Sequence, residues 1–135
     1  MEALRPWARY SFALQPCVRD LRGEHVLFEA SQITGIIDFG ALAVDHPAGD
    51  LARLLNDFSA SDTTLFSAGL KSYRAGGILA VPEEFVHLLT DSGTVCSVIG
   101  WLIRLTVRRD PVSEIAKTAS RLEQLVACIE QFRHI

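Results

Sequence analysis

The sequence predicts an α+β fold that is mainly helical: a small β-hairpin followed by about five helices. Three observations predict it. Two short apolar runs, His25–Glu29 (HVLFE) and Ile33–Phe39 (ITGIIDF), are separated only by the polar break Ala30-Ser31-Gln32. That pattern reads as two antiparallel strands with a tight connection. From Ala48 onward the spacing becomes helical, with Leu51, Leu54, Leu55 and Phe58 on one stripe. Near the C-terminus, Ile115, Ala119, Leu122, Val126 and Ile129 recur at alternating steps of 4 and 3, the stripe of an amphipathic helix.

Taken in order, Pro6 and Pro16 bracket an irregular or partly extended start, and the hairpin follows. The first helix is expected over Ala48–Phe58. The second runs Thr63–Tyr73 and is stopped by Gly76-Gly77. Pro82 is placed as the first residue of a third helix, continued by Phe85, Leu88 and Leu89. Thr94–Val107 is apolar nearly all round, which predicts a core helix. Asp110-Pro111 is expected to open the last helix as cap and first residue.

With 135 residues, 49% of them hydrophobic, the chain reads as one domain over residues 1–135 with enough apolar material for a core. The formal net charge of -3 shows no basic excess and gives no sign of a nucleic-acid partner. Cys17, Cys96 and Cys128 are odd in number and widely spaced, as expected of free thiols in a reducing compartment. The first residues carry charges among apolar ones and form no signal peptide. The longest apolar stretch, Val95–Val107, is interrupted by Arg104 and is too short to span a bilayer. The chain reads as a soluble cytoplasmic protein with no membrane partner.

The chemistry sits around the hairpin. Asp20 precedes the first strand and Asp38 ends the second. A hairpin returns the chain on itself, so Asp20, His25 and Asp38 are expected to converge at its open end. Carboxylates beside an imidazole suit a divalent cation and its bound phosphate. An Asp beside them could take the proton of a hydroxyl nucleophile. The same three residues in a metal-dependent hydrolase are a weaker reading. His46, next to Pro47, reads as a turn residue.

"VRDLRGEHVLF" (Val18–Phe28) resembles the catalytic loop of kinases, and "IIDFG" (Ile36–Gly40) resembles their metal-binding Asp-Phe-Gly motif. "DHPAGDLARLL" (Asp45–Leu55) resembles the continuation found in the aminoglycoside phosphotransferase and choline kinase family. The resemblance covers Leu14 to about Leu55. It implies a protein-kinase-like C-terminal lobe, with the hairpin carrying the catalytic and metal-binding loops. It implies ATP/Mg²⁺-dependent phosphoryl transfer to a hydroxyl of a small molecule, so the expected partners are a nucleotide and a small-molecule acceptor. Asp20 then corresponds to the catalytic Asp, Asp38 to the Mg²⁺ ligand and Asp50 to the helix-start Asp that supports the catalytic loop. Arg22 falls near the phosphate-contacting position. His25 stands where the pattern has a metal-binding Asn, and Val18 where it has a His.

Only 19 residues precede Asp20, with no glycine-rich loop, and the two lysines, Lys71 and Lys117, lie downstream. The family's sheet-rich nucleotide lobe is therefore expected to be absent, the chain to lack efficient kinase activity alone, and its apolar surface to favour self-association or a partner lobe. The second function reading is a catalytically inactive kinase-fold remnant acting as a binding or regulatory module.

Overall fold

A computed structural model describes residues 5–59, 62–77, 81–109 and 115–131. The chain divides into two compact units, Met1–Thr90 and Asp91–Ile135. It is mainly helical with small antiparallel sheets, as expected, but the elements differ in detail.

The expected hairpin is present. Strands β2 (Val26–Glu29) and β3 (Gln32–Ile36) pair antiparallel, with a register irregularity between Leu27 and Phe28. The connection is Ala30-Ser31, and Ala30 takes a left-handed φ of 54° to close it. His25 lies just outside the strand, in a 3₁₀ turn over Gly23–His25. β3 ends at Ile36, before the Asp-Phe-Gly segment. A second antiparallel pair was not legible locally: β1 (Gln15–Cys17) lies against β4 (Ala43–Asp45), Pro16 opposite Val44. The Cys17 thiol donates to the Asp45 carbonyl at 3.3 Å. Burial, then the Asp50 and Asp45 charges, push the Cys17 thiol up, so it stays protonated.

Helix α1 (Ala48–Ser59) buries Ala48, Leu51, Ala52, Leu55 and Ser59. Helix α2 (Thr63–Gly76) buries Phe66 and Leu70 against that face. Asp62 caps α2, its carboxylate accepting from the Thr64 and Leu65 N–H groups. Val81 and Val86 complete the core of the first unit. The α1–α2 crossing is close at Gly69, where a Cβ would stand 2.5 Å from Leu55 Cδ2. Gly69→Ala should therefore overpack a buried side chain, costing about 1–3 kcal/mol. The helix-propensity gain of about 1 kcal/mol offsets part of that. A lower urea midpoint is the expected result, and a higher one would show that Leu55 swings aside freely.

The chain entry to α1 is held by rings. Phe12 stacks on Phe85 (centroids 4.4 Å apart) and meets the His46 ring at 4.7 Å. His46 is more than a turn residue: its Nδ1 accepts the Ala48 N–H at 3.2 Å, in the first turn of α1. Burial holds the His46 imidazole below its usual value of 6.5, with Asp45 pulling the other way. A lowered folded value means that the unfolded chain binds the proton first. The stabilisation is complete above pH 6.5 and is lost as pH falls from there through the folded value. Chemical denaturation at a series of pH values should show that decline, and His46→Gln should flatten it.

Two expected helices, one from Pro82 and one over Thr94–Val107, are a single helix, α3 (Glu83–Leu102), continued by a π-helical segment over Ile103–Arg108. The polar run Thr90–Gly93 between them contains no proline, and the Thr90 hydroxyl donates to the Val86 carbonyl at 3.0 Å. Pro82 lies one residue before the helix and its carbonyl accepts from Phe85 and Val86 N–H. The chain thus shows four α-helices among the described residues, where about five were expected.

The expectation of a core helix over Thr94–Val107 is not met. Val95, Ile99, Leu102, Ile103 and Val107 are all exposed, Val107 at 74%. An apolar circumference says what burial would stabilise; a covering neighbour must come from elsewhere in the chain. The continuous helix Glu83–Arg108 has 26 residues and contains an 18-residue window of mean hydropathy 1.3, long and apolar enough by those criteria to cross a bilayer. Joining the two segments is what lengthens the 13-residue stretch Val95–Val107 beyond the expectation. Core helices of soluble proteins meet the same criteria. Helix α4 (Ile115–Gln131) follows; Leu125 is buried, while Ile115 and Val126 of its stripe are exposed. The expected Asp110-Pro111 start lies outside the described residues.

Candidate functional site

The site is built on the loop between β1 and β2, and α1 holds that loop at three points. The Val18 N–H donates to Asp50 Oδ2 at 2.7 Å. Arg53 Nη1 donates to Asp20 Oδ1 at 2.6 Å. The Gly23 N–H donates to Asp57 Oδ2 at 3.3 Å. Asp50, Arg53 and Asp57 are spaced 3 and 4 residues apart, so one stripe of α1 faces the loop while Leu51, Ala52 and Leu55 face the core. Arg53 and Asp57 escaped the sequence reading. Their spacing from Asp50 was the available signal, since an amphipathic helix has a polar stripe as well as an apolar one.

Asp20 carries two guanidinium groups on the same oxygen, Arg53 Nη1 and Arg22 Nε, the latter at 3.1 Å. Its side chain is 37% exposed, so these pairs orient the carboxylate more than they stabilise the fold, at about 0–1 kcal/mol each. Arg22 also lies 3.8 Å from Glu24 Oε1. Just before Asp20, Arg19 adopts a left-handed φ of 65° and pairs with Asp45 at 3.1 Å. The loop is thereby fixed on both sides of Asp20. Backbone held in this region by its surroundings is a feature of functional loops.

His25 joins the two acidic positions. Its Nδ1 lies 2.9 Å from the Asp20 carbonyl oxygen. A carbonyl only accepts, so Nδ1 is the donor in this contact, which leaves Nε2 to face the two carboxylates. Nε2 lies 3.7 Å from Asp38 Oδ2 and 4.0 Å from Glu24 Oε1. The His25 carbonyl accepts the Ile37 N–H at 3.0 Å, which ties the loop to the start of the Asp-Phe-Gly segment. Asp38 takes a left-handed φ of 64°, a conformation that Asp tolerates better than most side chains. Gly40 leaves room beside it, since a Cβ there would sit 3.4 Å from Asp38 Oδ1.

The structure therefore brings the side chains of His25 and Asp38 together, with the Asp20 backbone. The Asp20 carboxylate is turned to the arginines. Among the described residues no group of three or more His, Cys, Asp or Glu side chains is arranged to hold a metal ion.

A loop with an arginine-oriented carboxylate, braced by a helix and followed by a hairpin with a second acidic turn, suits the phosphotransferase class. The comparison with family models agrees: the model of the phosphotransferase enzyme family, APH, matches residues 1–85. The chain belongs to that family. No curated protein and no solved structure matches it significantly. The matched segment contains the whole site, both strand pairs, α1 and α2.

Proposed function

We propose that this chain is the C-terminal, catalytic lobe of a protein-kinase-like phosphotransferase that moves a phosphoryl group from ATP to a hydroxyl of a small molecule. The observation that carries the reading is the clamp of α1 on the loop: Asp50, Arg53 and Asp57 fix Val18, Asp20 and Gly23 in one geometry. Phosphoryl transfer depends mainly on positioning and charge neutralisation, and a rigidly presented carboxylate supplies the positioning.

In this reading Asp20 accepts the proton of the acceptor hydroxyl. Both arginines bond Oδ1, and Oδ2 is assigned to the acceptor. Arg22 is assigned to the transferred phosphate, and Asp50 keeps the loop seated. The residues present fit a divalent cation of the nucleotide-bound kind. Mg²⁺ in such sites keeps water and phosphate oxygens and takes one or two protein ligands, so a pair is sufficient. Asp38 would hold it, with His25 beside it. Such an ion, when bound, neutralises charge on the nucleotide phosphates.

The phosphate-covering loop and its lysine are assigned to a separate lobe. The hairpin leaves Leu27, Phe28, Ile33, Ile36 and Ile37 exposed, apolar surface that such a lobe, or a second copy of the chain, would cover. ATP as donor, with the free thiols of Cys17 and Cys96, fits a cytoplasmic setting.

The test is acceptor-dependent ADP formation from ATP and Mg²⁺ with aminoglycosides, choline, sugars and amino-alcohols. It is run on the chain alone and on the chain joined to a nucleotide lobe of its family. Transfer is expected only in the joined form. Val18 and His25, where the family pattern has other residues, favour the second reading, an inactive binding remnant. That reading would show metal-nucleotide binding with no turnover in either form.

A further inference from the structure

His25 stands in an environment suited to a metal-bound imidazole. Its Nδ1–H is committed to the Asp20 carbonyl at 2.9 Å, which fixes the tautomer and aims the ring. The side chain is only 11% exposed, so the ring is held rather than solvated. A backbone carbonyl on the far nitrogen is the usual partner of a ligating histidine, and it raises the basicity of the other nitrogen. That nitrogen, Nε2, lies 3.7 Å from Asp38 Oδ2. Two ligands each about 2.1 Å from one ion lie roughly 3.0–3.5 Å apart at octahedral or tetrahedral angles. Asp38 is 61% exposed and free to close the small difference.

We infer that the His25–Asp38 pair makes this site select a first-row transition-metal dication over Mg²⁺. The inference rests on the phosphotransferase reading and specifies its ion. Mg²⁺ is hard and takes oxygen ligands, whereas an imidazole nitrogen favours ions such as Co²⁺, Ni²⁺ and Zn²⁺. Among the described residues no three such side chains are arranged around one ion, so the remaining positions go to water and phosphate oxygens. The competing account is a simple charge contact, in which a protonated His25 faces Asp38 and Glu24 and binds no ion.

The experiment titrates the 135-residue chain with Co²⁺ alone and with Mg²⁺ alone by calorimetry, and follows the imidazole ¹⁵N–¹H spectrum at neutral pH. Co²⁺ should bind about 10-fold or more tightly than Mg²⁺. The His25 Nε2 resonance should shift strongly with Co²⁺ while its Nδ1–H persists. His25→Asn should weaken Co²⁺ by about 10–100-fold and leave Mg²⁺ nearly unchanged; Asp38→Asn should weaken both ions. An unshifted His25 ring in the unsubstituted chain overturns the inference and needs no variant to fold. So does a sulfur-to-cobalt charge-transfer band, which would place the ion on a cysteine. If His25→Asn changes neither ion while Mg²⁺–ATP binding still depends on Asp38, the ion preference falls and the phosphotransferase reading stands. If Asp38→Asn alters neither ion nor nucleotide binding, both fall.

Discussion

Asp20→Asn is expected to lower acceptor-dependent phosphoryl transfer by about 10²–10⁴-fold in the chain joined to a nucleotide lobe, with nucleotide affinity almost unchanged. Asn has the shape of Asp but cannot take a proton at physiological pH. Its amide oxygen can still accept from Arg53 Nη1 and Arg22 Nε, which now bond Asp20 Oδ1 at 2.6 and 3.1 Å. The loop should therefore keep its position, and the loss should fall on kcat with KM little moved. Thermal stability should change by less than about 1 kcal/mol, because these ion pairs are substantially exposed. Undiminished transfer would remove Asp20 from the role of base. A loss confined to nucleotide binding would give it a structural part instead.

Asp50→Ala should be the most damaging single change at the loop. The Asp50 carboxylate accepts the Val18 N–H at 2.7 Å across 32 residues of chain, joining the start of α1 to the loop. A hydrogen bond to a charged group contributes about 1.5–3 kcal/mol, and its loss leaves the Val18 N–H without its acceptor. At about 4 °C per kcal/mol for a domain of this size, a fall of roughly 6–12 °C in Tm follows. Asp50→Asn separates charge from hydrogen bonding. Asp50 Oδ1 is buried without a hydrogen-bond partner, so an amide –NH₂ at that place would be a buried, unsatisfied donor. The Asn variant should therefore recover only part of the stability lost on substitution by Ala. Full recovery would mean that the carboxylate charge is immaterial and only the Val18 bond counts.

The two substitutions probe parts of the site that differed in legibility. Asp20, Asp38 and Asp50 could be picked out by position, because each sits inside a short motif with its neighbours. Arg53 carries only its spacing from Asp50, and an Arg on an exposed helix face reads as solvated surface until its partner is known. That partner, Asp20, is 33 residues away. The β1–β4 pair was invisible for a similar reason: each strand has three residues, and one contains a proline. No window that short carries a periodicity. In α3 the local signal misled, because a polar run of Thr, Asp, Ser and Gly is compatible with either a loop or a continuing helix.

The sequence by itself determined the hairpin, the apolar face of α1 and the order of acidic residues along the chain. All of these are encoded within windows of a few residues, by alternation, helical spacing or turn chemistry. Only the tertiary structure decided that the Asp20 carboxylate turns to Arg53 while its carbonyl takes His25, and that Val95, Ile99 and Leu102 of α3 stand exposed. A side chain's direction and burial depend on which distant segment lies against it. That is settled by the packing of the whole chain, whereas local pattern settles only what each segment is able to form.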